Sequence, residues 1–408
     1  MKTLFLTLFL FLSPFVTASE GVSTGVDLFF EEGHAASLLM NKKVGLITNH
    51  TGINRDFKST IDLFREAKEF SLVALFAPEH GLNGNAYAAE HLPHSAKSIP
   101  IYSLHGETRR PTDQMLKGVD ALVYDIQEIG CRSYTYASTL YYVMEEAAKR
   151  NIPVIVLDRP NPMNGIVVDG PMMKEEFRSF LGYVNIPYCH GMTIGELARF
   201  FNEEYKVGCN LKVITMRGWK RSMSFKDTGL PWIPTSPYIP EADTPFFYAS
   251  TGILGMLELV NIGIGYTLPF KLVGAPWINA AEFAKQLNKQ KLPGVKFLPF
   301  YFRPFYGPYK NKECQGVKII ITSPTQYRPS AVQSLLLGML KTLYPKQVDS
   351  RLAAISPAKK KSFCKVCGNQ EMWNLLLSDR YVAWKLIPFQ QEEREAFLKT
   401  RDKYLLYR

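Results

Sequence analysis

The sequence carries no internal repeat and no low-complexity segment, so repeat architectures and compositionally driven disorder are set aside. Neither G-x-G-x-x-G nor G-x-x-x-x-G-K follows the first strand-like run, Val44 to Thr48. The backbone cradle that a dinucleotide or a nucleoside triphosphate needs is therefore missing, and neither is expected as a cofactor. No G-x-S-x-G elbow occurs either, which removes the setting of a serine hydrolase. Cysteine is scarce, at six residues: Cys131, Cys189, Cys209, Cys314, Cys364 and Cys367. Only Cys364 and Cys367 are close, and a lone C-x-x-C lacks the second pair of a structural zinc site. It reads as a local disulfide or as two spare thiols. An even count permits disulfides outside the cytoplasm, while Cys131 reads as a small buried hydrophobe rather than a nucleophile.

What is present has the balance of a soluble globular protein: 46% hydrophobic and 21% charged residues. At roughly 150 residues per domain, 408 residues predict two to three domains, or two large ones. The 48 Lys and Arg against 37 Asp and Glu give a net charge of +11, so an anionic partner must be considered. The excess is spread along the chain, and its densest run, Lys359-Lys360-Lys361, is short. That distribution is read as a solvated basic face; no nucleic-acid partner is expected.

At the N-terminus Lys2 precedes an apolar run from Leu4 to Leu12, shorter than the ~20 residues of a membrane span, and Ala18 suits cleavage before Ser19. Residues 1–18 are expected to be a signal peptide, and the mature chain to be exported, periplasmic or extracellular, without stable membrane insertion. No cysteine near the junction offers a lipid attachment point.

Apolar runs then alternate in type. Val44 to Thr48, Leu72 to Ala77, Ala121 to Asp125 and Val154 to Asp158 have the length of buried strands. Between them, Ser59 to Lys68 and Ser138 to Lys149 carry apolar residues at helical spacing. Strand and helix in alternation predict a parallel sheet covered on both faces, a Rossmann-like α/β fold. Thr193 with Glu196 three residues on predicts a capped helix running to about Tyr205, and Leu211 to Met216 a further strand. Five prolines between Pro231 and Pro245 break all regular structure and mark a boundary. The expected division is a Rossmann-like catalytic domain over 19–240 and a smaller α/β domain over 241–408. The smaller domain has helices near Thr251 to Leu259, Ala280 to Asn288, Ser330 to Leu343, Glu371 to Leu377 and Glu392 to Thr400. Its strands are expected at Val295 to Phe302 and Val317 to Thr322.

Ligands of open parallel sheets bind at the carboxyl ends of the strands. The four successive strand ends here read Thr48-Asn49-His50-Thr51-Gly52, Pro78-Glu79-His80-Gly81, Asp125-Ile126-Gln127-Glu128-Ile129-Gly130-Cys131-Arg132-Ser133-Tyr134 and Asp158-Arg159-Pro160-Asn161-Pro162. Turns favour Asn, Asp and Gly for backbone reasons, so one loop alone would mean little. Four together collect the carboxylates of Glu79, Asp125, Glu128 and Asp158 among amides, Tyr and Arg. Paired carboxylates with hydrogen-bonding neighbours are what glycoside cleavage uses, and Arg132 or Arg159 would suit an anionic substituent on the sugar. Asp125 and Asp158 read equally well as caps or loop stabilisers, and Arg159 as half of a structural ion pair. A competing reading places zinc on His80, His91 and His94 beside Glu79 and Glu90, but the spacing matches no metal motif, and a surface loop is preferred. No metal is expected.

These residues resemble the exo-β-N-acetylmuramidase family of the NamZ type, glycoside hydrolase family 171. The matching blocks are Thr48-Asn49 with Thr51-Gly52, Pro78-Glu79-His80-Gly81, Asp125-Ile126-Gln127, Arg132 with Tyr134-Thr135-Tyr136, Leu157-Asp158-Arg159-Pro160-Asn161-Pro162, the run from His190 to Ala198, and Gly274-Ala275-Pro276-Trp277. They span nearly the whole mature chain. The resemblance implies a Rossmann-like domain joined to a smaller α/β domain, with the active site in the cleft between them. It further implies release of N-acetylmuramic acid from the non-reducing ends of peptidoglycan glycan fragments, without metal or cofactor. Glu79 maps onto the family's general acid/base, and Asp125 is taken as the second carboxylate with Asp158 behind it. Asn49, His80, Arg132, Tyr134, Asp158, Arg159, Asn161, His190 and Glu196 are expected to bind or orient the muramyl oligosaccharide, although Asn161 and Glu196 also suit loop fixing and helix capping.

Three departures stand out. Glu128 replaces the second Asp of a D-I-Q-D block, Tyr238 stands where Asn is common, and 261–267 reads N-I-G-I-G-Y-T where the family reads S-E-G-R-G-T-T. Loss of that Glu and Arg supports a rival reading, a muramyl-sugar-binding protein without turnover. A metal-dependent wall amidase is a more distant one.

Overall fold

The computed structural model describes residues 21–87 and 99–408. The expected signal peptide, and with it Glu90, His91 and His94 of the zinc reading, lie outside the described residues. Six strands, β1 (Lys43–Thr48), β2 (Ser71–Ala77), β3 (Ile101–Ser103), β4 (Ala121–Asp125), β5 (Val154–Leu157) and β6 (Leu211–Ile214), form one sheet in the order β3-β2-β1-β4-β5-β6. All five pairings are parallel. The strand order reverses between β1 and β4, which opens a crevice at their carboxyl ends.

Strand periodicity explains why both faces are covered. Val44 and Leu46 of β1, Val123 of β4 and Ile155 and Leu157 of β5 point to one face, where they meet Phe29 and Phe64 from helices Gly25–Glu31 and Thr60–Glu66. Their alternates Ile47, Leu122, Tyr124, Val154 and Val156 point to the other face, against Leu140 and Met144 of helix Tyr136–Ala148 and Leu197 and Phe201 of helix Ile194–Glu204. Fully buried parallel strands thus read as continuous apolar runs.

The capping pair acts as its spacing predicts: Thr193 Oγ1 accepts from the Glu196 amide at 3.2 Å, and the Thr193 amide donates to Glu196 at 3.0 Å. Residues 231–243 hold no helix or strand, and Pro245 sits in the first turn of helix Thr244–Gly255, where a missing N–H costs nothing. The smaller second domain contains β7 (Leu272–Ala275), β8 (Val295–Phe302) and β9 (Cys314–Ile321), an antiparallel sheet ordered β7-β9-β8. Helices Ala280–Lys289 and Pro329–Leu343 accompany it, and its apolar core is continuous with that of the first domain through residues such as Phe246, Ile253 and Leu336. Among the described residues no helix is long and apolar enough to cross a membrane.

Candidate active site

The Pro78-Glu79-His80-Gly81 turn leaves β2 through two successive left-handed residues, His80 at φ 70° and Gly81 at φ 78°. A histidine held there costs about 1–2 kcal/mol of backbone strain, tolerated where surrounding bonds over-determine it. The His80 ring supplies such a bond, its Nδ1 lying 2.7 Å from the Ala86 carbonyl oxygen, so that Nδ1 carries the proton. The turn points the Glu79 carboxylate towards helix Tyr136–Ala148. Oε2 of Glu79 accepts from the hydroxyl of the N-cap residue Thr135 at 2.6 Å, and Oε1 lies 3.6 Å from Nε2 of His105.

Glu79 is 8% exposed and lines a cavity of about 190 Å³ with His80, Ser133, Tyr134, Thr135 and Tyr248. Four chain regions meet there: the strand ends of the first domain, Leu181 of the stretch between β5 and helix Ile194–Glu204, Ser236, Tyr238 and Ile239 of the proline-rich linker, and Tyr248 with Phe270 of the second domain. Hydrogen bonds fasten the linker to the strand-end loops, since Tyr134 donates to Thr235 Oγ1 at 2.8 Å and Tyr136 to the Thr235 carbonyl at 2.7 Å. Tyr238 also carries an aromatic wall outward, its ring centroid 6.4 Å from Tyr306 and 6.1 Å from Tyr87. A larger cavity of about 550 Å³ on the other side of the turn shares His80 and includes Asn49, Asp62 and Arg65. Its carboxylate, Asp62, accepts from Ser59 at the start of a helix.

The other residues expected at the site are distributed differently. Asp125, taken above as the second carboxylate, is fully buried and lines neither cavity. Its oxygens accept from Arg159 Nε at 2.5 Å and Nη2 at 2.9 Å, and from the Thr60 hydroxyl. Since β1 lies between β2 and β4, the strand ends carrying Glu79 and Asp125 are about 10 Å apart. Arg159 also donates to the Ile53 carbonyl, which completes the structural ion pair weighed from the sequence. Arg132, expected to meet an anion, is buried and donates instead to the carbonyls of Pro171, Ile186, Val366 and Cys367, with burial lowering its pKa to about 10.

Asp158 is fully buried among Thr193, the amides of Arg159 and Gly195, and the Tyr407 hydroxyl; burial pushes its carboxyl up to about 7. It anchors the C-terminal tail. Asn161 accepts from the Met163 amide and donates to the Met192 carbonyl, and a Cβ on Gly130 (φ 82°) would lie 2.5 Å from its side-chain oxygen. Only glycine lets those two loops meet so closely. His190 is fully buried, and burial with Arg401 and Arg132 nearby lowers its pKa to about 3, which keeps the ring neutral. Beyond its cap, Glu196 receives Arg221 at 2.7 Å and the Leu406 amide at 2.8 Å. Asn49 accepts from the amide and hydroxyl of Thr51 and donates to the Tyr136 hydroxyl at 3.1 Å.

Of the departures, Ile262 points into the second domain's core, 7% exposed. Gly263 (φ 85°) and Gly265 (φ 81°) shape a tight loop whose Gly265 carbonyl accepts from the Phe305 amide at 2.7 Å. That loop supports Phe305 and Tyr306, and none of 261–267 is among the described residues lining the Glu79 cavity. His105 and Thr135, which meet the Glu79 carboxylate, were not among the expected site residues. His105 follows β3, three residues long and too short to show a period; the signal available was a His-Gly pair after the run Ile99 to Ser103.

Glu128 is buried, and burial raises its carboxyl to about 7 against the pull of the Gly130, Ile129 and Ala137 amides. The folded state therefore holds this proton more tightly than the unfolded chain, whose glutamate titrates near 4.5. Its contribution to stability is fully present below about pH 4.5 and is lost as pH rises to about 7, a difference of roughly 3 kcal/mol. Glu128→Gln should remove that loss. Thermal unfolding at pH 5 and pH 8 checks it, the variant being less destabilised by the rise than the parent protein; equal shifts would contradict the buried proton.

Sequence comparison places these features among known proteins. Residues 44–243 match the family model described as exo-beta-N-acetylmuramidase NamZ, N-terminal, and residues 246–407 match its C-terminal counterpart. The chain is 38% identical over 391 residues to the peptidoglycan beta-N-acetylmuramidase NamZ of Bacillus subtilis (strain 168), covering 95% of this chain and 91% of that protein. It is also similar to two crystal structures of DUF1343 family proteins from Bacteroides fragilis NCTC 9343. One has TM-score 0.88 at 40% identity and the other 0.72 at 27%, each covering 95% of this chain and 99% of its own.

Proposed function

The chain belongs to the exo-β-N-acetylmuramidase NamZ family, and from that premise we propose that it is an exported enzyme removing single N-acetylmuramic acid residues from the non-reducing ends of peptidoglycan glycan fragments. The observation that carries this reading is the Glu79 cavity: one carboxylate held by the N-cap hydroxyl of a helix, facing aromatic and hydroxyl side chains where the two domains meet. Glu79 is the acid/base. It gives its proton to the glycosidic oxygen as the bond from that oxygen to the anomeric carbon breaks, and as a carboxylate it then accepts a proton from the water whose oxygen bonds to the anomeric carbon.

At about 190 Å³ the cavity is smaller than the ~300–1,000 Å³ of drug-sized ligand sites, which suits one terminal sugar ring and not a run of the chain. Ser133 and Thr135 offer hydroxyls to the sugar, Tyr248 and Phe270 face its apolar side, and the Tyr238–Tyr306 wall extends outward where a leaving N-acetylglucosamine would lie. Asp125 takes a structural role in this reading, holding Arg159 at the floor of the crevice. The net charge of +11 favours approach to an acidic wall polymer, and the apolar N-terminal run with Ala18 supports export.

The test is digestion of N-acetylmuramyl-β-1,4-N-acetylglucosamine and of longer muramyl-terminated fragments, followed by mass spectrometry. Free N-acetylmuramic acid should appear from the first time point. Internal oligosaccharides as first products would overturn exo action, and binding without turnover by folded protein would favour the binding-protein reading that the altered 261–267 segment raised.

A further inference from the structure

Cys131 and Cys189 face each other across an isolated antiparallel bridge, both fully buried. The bonds framing them run from the Arg132 amide to the Tyr188 carbonyl at 2.8 Å and from the His190 amide to the Gly130 carbonyl at 3.4 Å. Each lies one residue outside the pair, so the two cysteines occupy a non-hydrogen-bonded position. There opposed Cα atoms stand about 4.5 Å apart and side chains come closest, inside the ~4.4–6.8 Å window that a disulfide requires. In the structure both are free thiols. Their backbones are also held in place: Arg132, next to Cys131, is tied to four carbonyls, and the Cys189 amide donates to the Asp169 carbonyl at 2.8 Å.

We infer that Cys131 and Cys189 form a disulfide that ties the loop after β4, which carries Ser133 and Thr135 to the Glu79 cavity, to the segment leading into His190. The bond is made while the chain is still folding, before burial closes access. One cysteine, as thiolate, attacks a small-molecule or protein disulfide and expels one of its sulfurs as a thiol. The second cysteine then attacks the resulting mixed disulfide and expels the other. Two protons and two electrons leave the pair, and the oxidant departs as two thiols. The inference rests on the proposed export only for where the oxidant is met, and it is tested apart from activity.

Full-length protein made in an oxidising bacterial periplasm, and the same chain refolded from urea with reduced and oxidised glutathione, would be denatured with N-ethylmaleimide and mapped by mass spectrometry. The peptides holding Cys131 and Cys189 should appear joined, two hydrogens lighter than their sum and without label. Because the closed loop is long, dithiothreitol should lower the melting temperature by about 5 °C or more, and a Cys131→Ala/Cys189→Ala variant should melt alike with and without it. Label on both cysteines in periplasmic protein, or either one joined to Cys364 or Cys367, would overturn the pairing. Absence of muramidase activity would leave this result standing.

Discussion

Glu79→Gln should lower the rate of N-acetylmuramic acid release from the disaccharide by ~100-fold or more, while the melting temperature stays close to that of the parent protein. Loss of a positioned general acid commonly removes a factor of ~10²–10⁴. The amide keeps the shape of the side chain and can still accept from the Thr135 hydroxyl, the bond that holds Oε2 at 2.6 Å. Folding is thus spared while the transferable proton is gone. The comparison needs circular dichroism and thermal unfolding beside the activity assay. Full activity in the variant would remove Glu79 from the acid/base role, and equal inactivity of both folded proteins would turn attention to sugar binding without turnover.

Asp125 should behave in the opposite way. Its carboxylate and the Arg159 guanidinium are a buried bidentate pair, 0% and 6% exposed at the side chain. Removing one partner of such a pair leaves an uncompensated charge and costs about 3–5 kcal/mol. Arg159→Leu is therefore expected to lower the urea midpoint strongly. Asp125→Leu/Arg159→Leu, which removes both charges, should recover most of that loss. Activity per folded molecule in Asp125→Asn should fall far less than in Glu79→Gln. A variant that keeps its stability and loses ~100-fold in rate would instead restore Asp125 as a reacting carboxylate. Unfolding curves and single-substrate kinetics on the same preparations separate the two outcomes.

The contrast between these carboxylates shows how far residue order reaches. Glu79 and Asp125 look alike in sequence, each closing an apolar run at a strand end. Their difference lies in partners remote along the chain: Thr135 for Glu79, Arg159 and Thr60 for Asp125. The same applies to Arg132, whose four carbonyl acceptors come from residues 171 to 367. A guanidinium beside a motif looks ready for an anion until the fold surrounds it with backbone oxygens.

By itself the sequence determined the parallel sheet, the capped helix at Thr193 and the family, because each rests on local signals: apolar runs of strand length, a capping pair three residues apart at the helix start, and contiguous motif blocks. The tertiary structure alone decided the rest. It paired β7, β8 and β9 antiparallel, since alternation marks a strand without naming its neighbour. It brought His105 to Glu79 from a strand too short to show a period. It also sorted the polar residues of the strand ends into those that line a cavity, Glu79, His80 and Tyr134 among them, and those that hold the crevice together, because burial and the need to satisfy every buried charge and hydrogen-bonding group are properties of the packed chain.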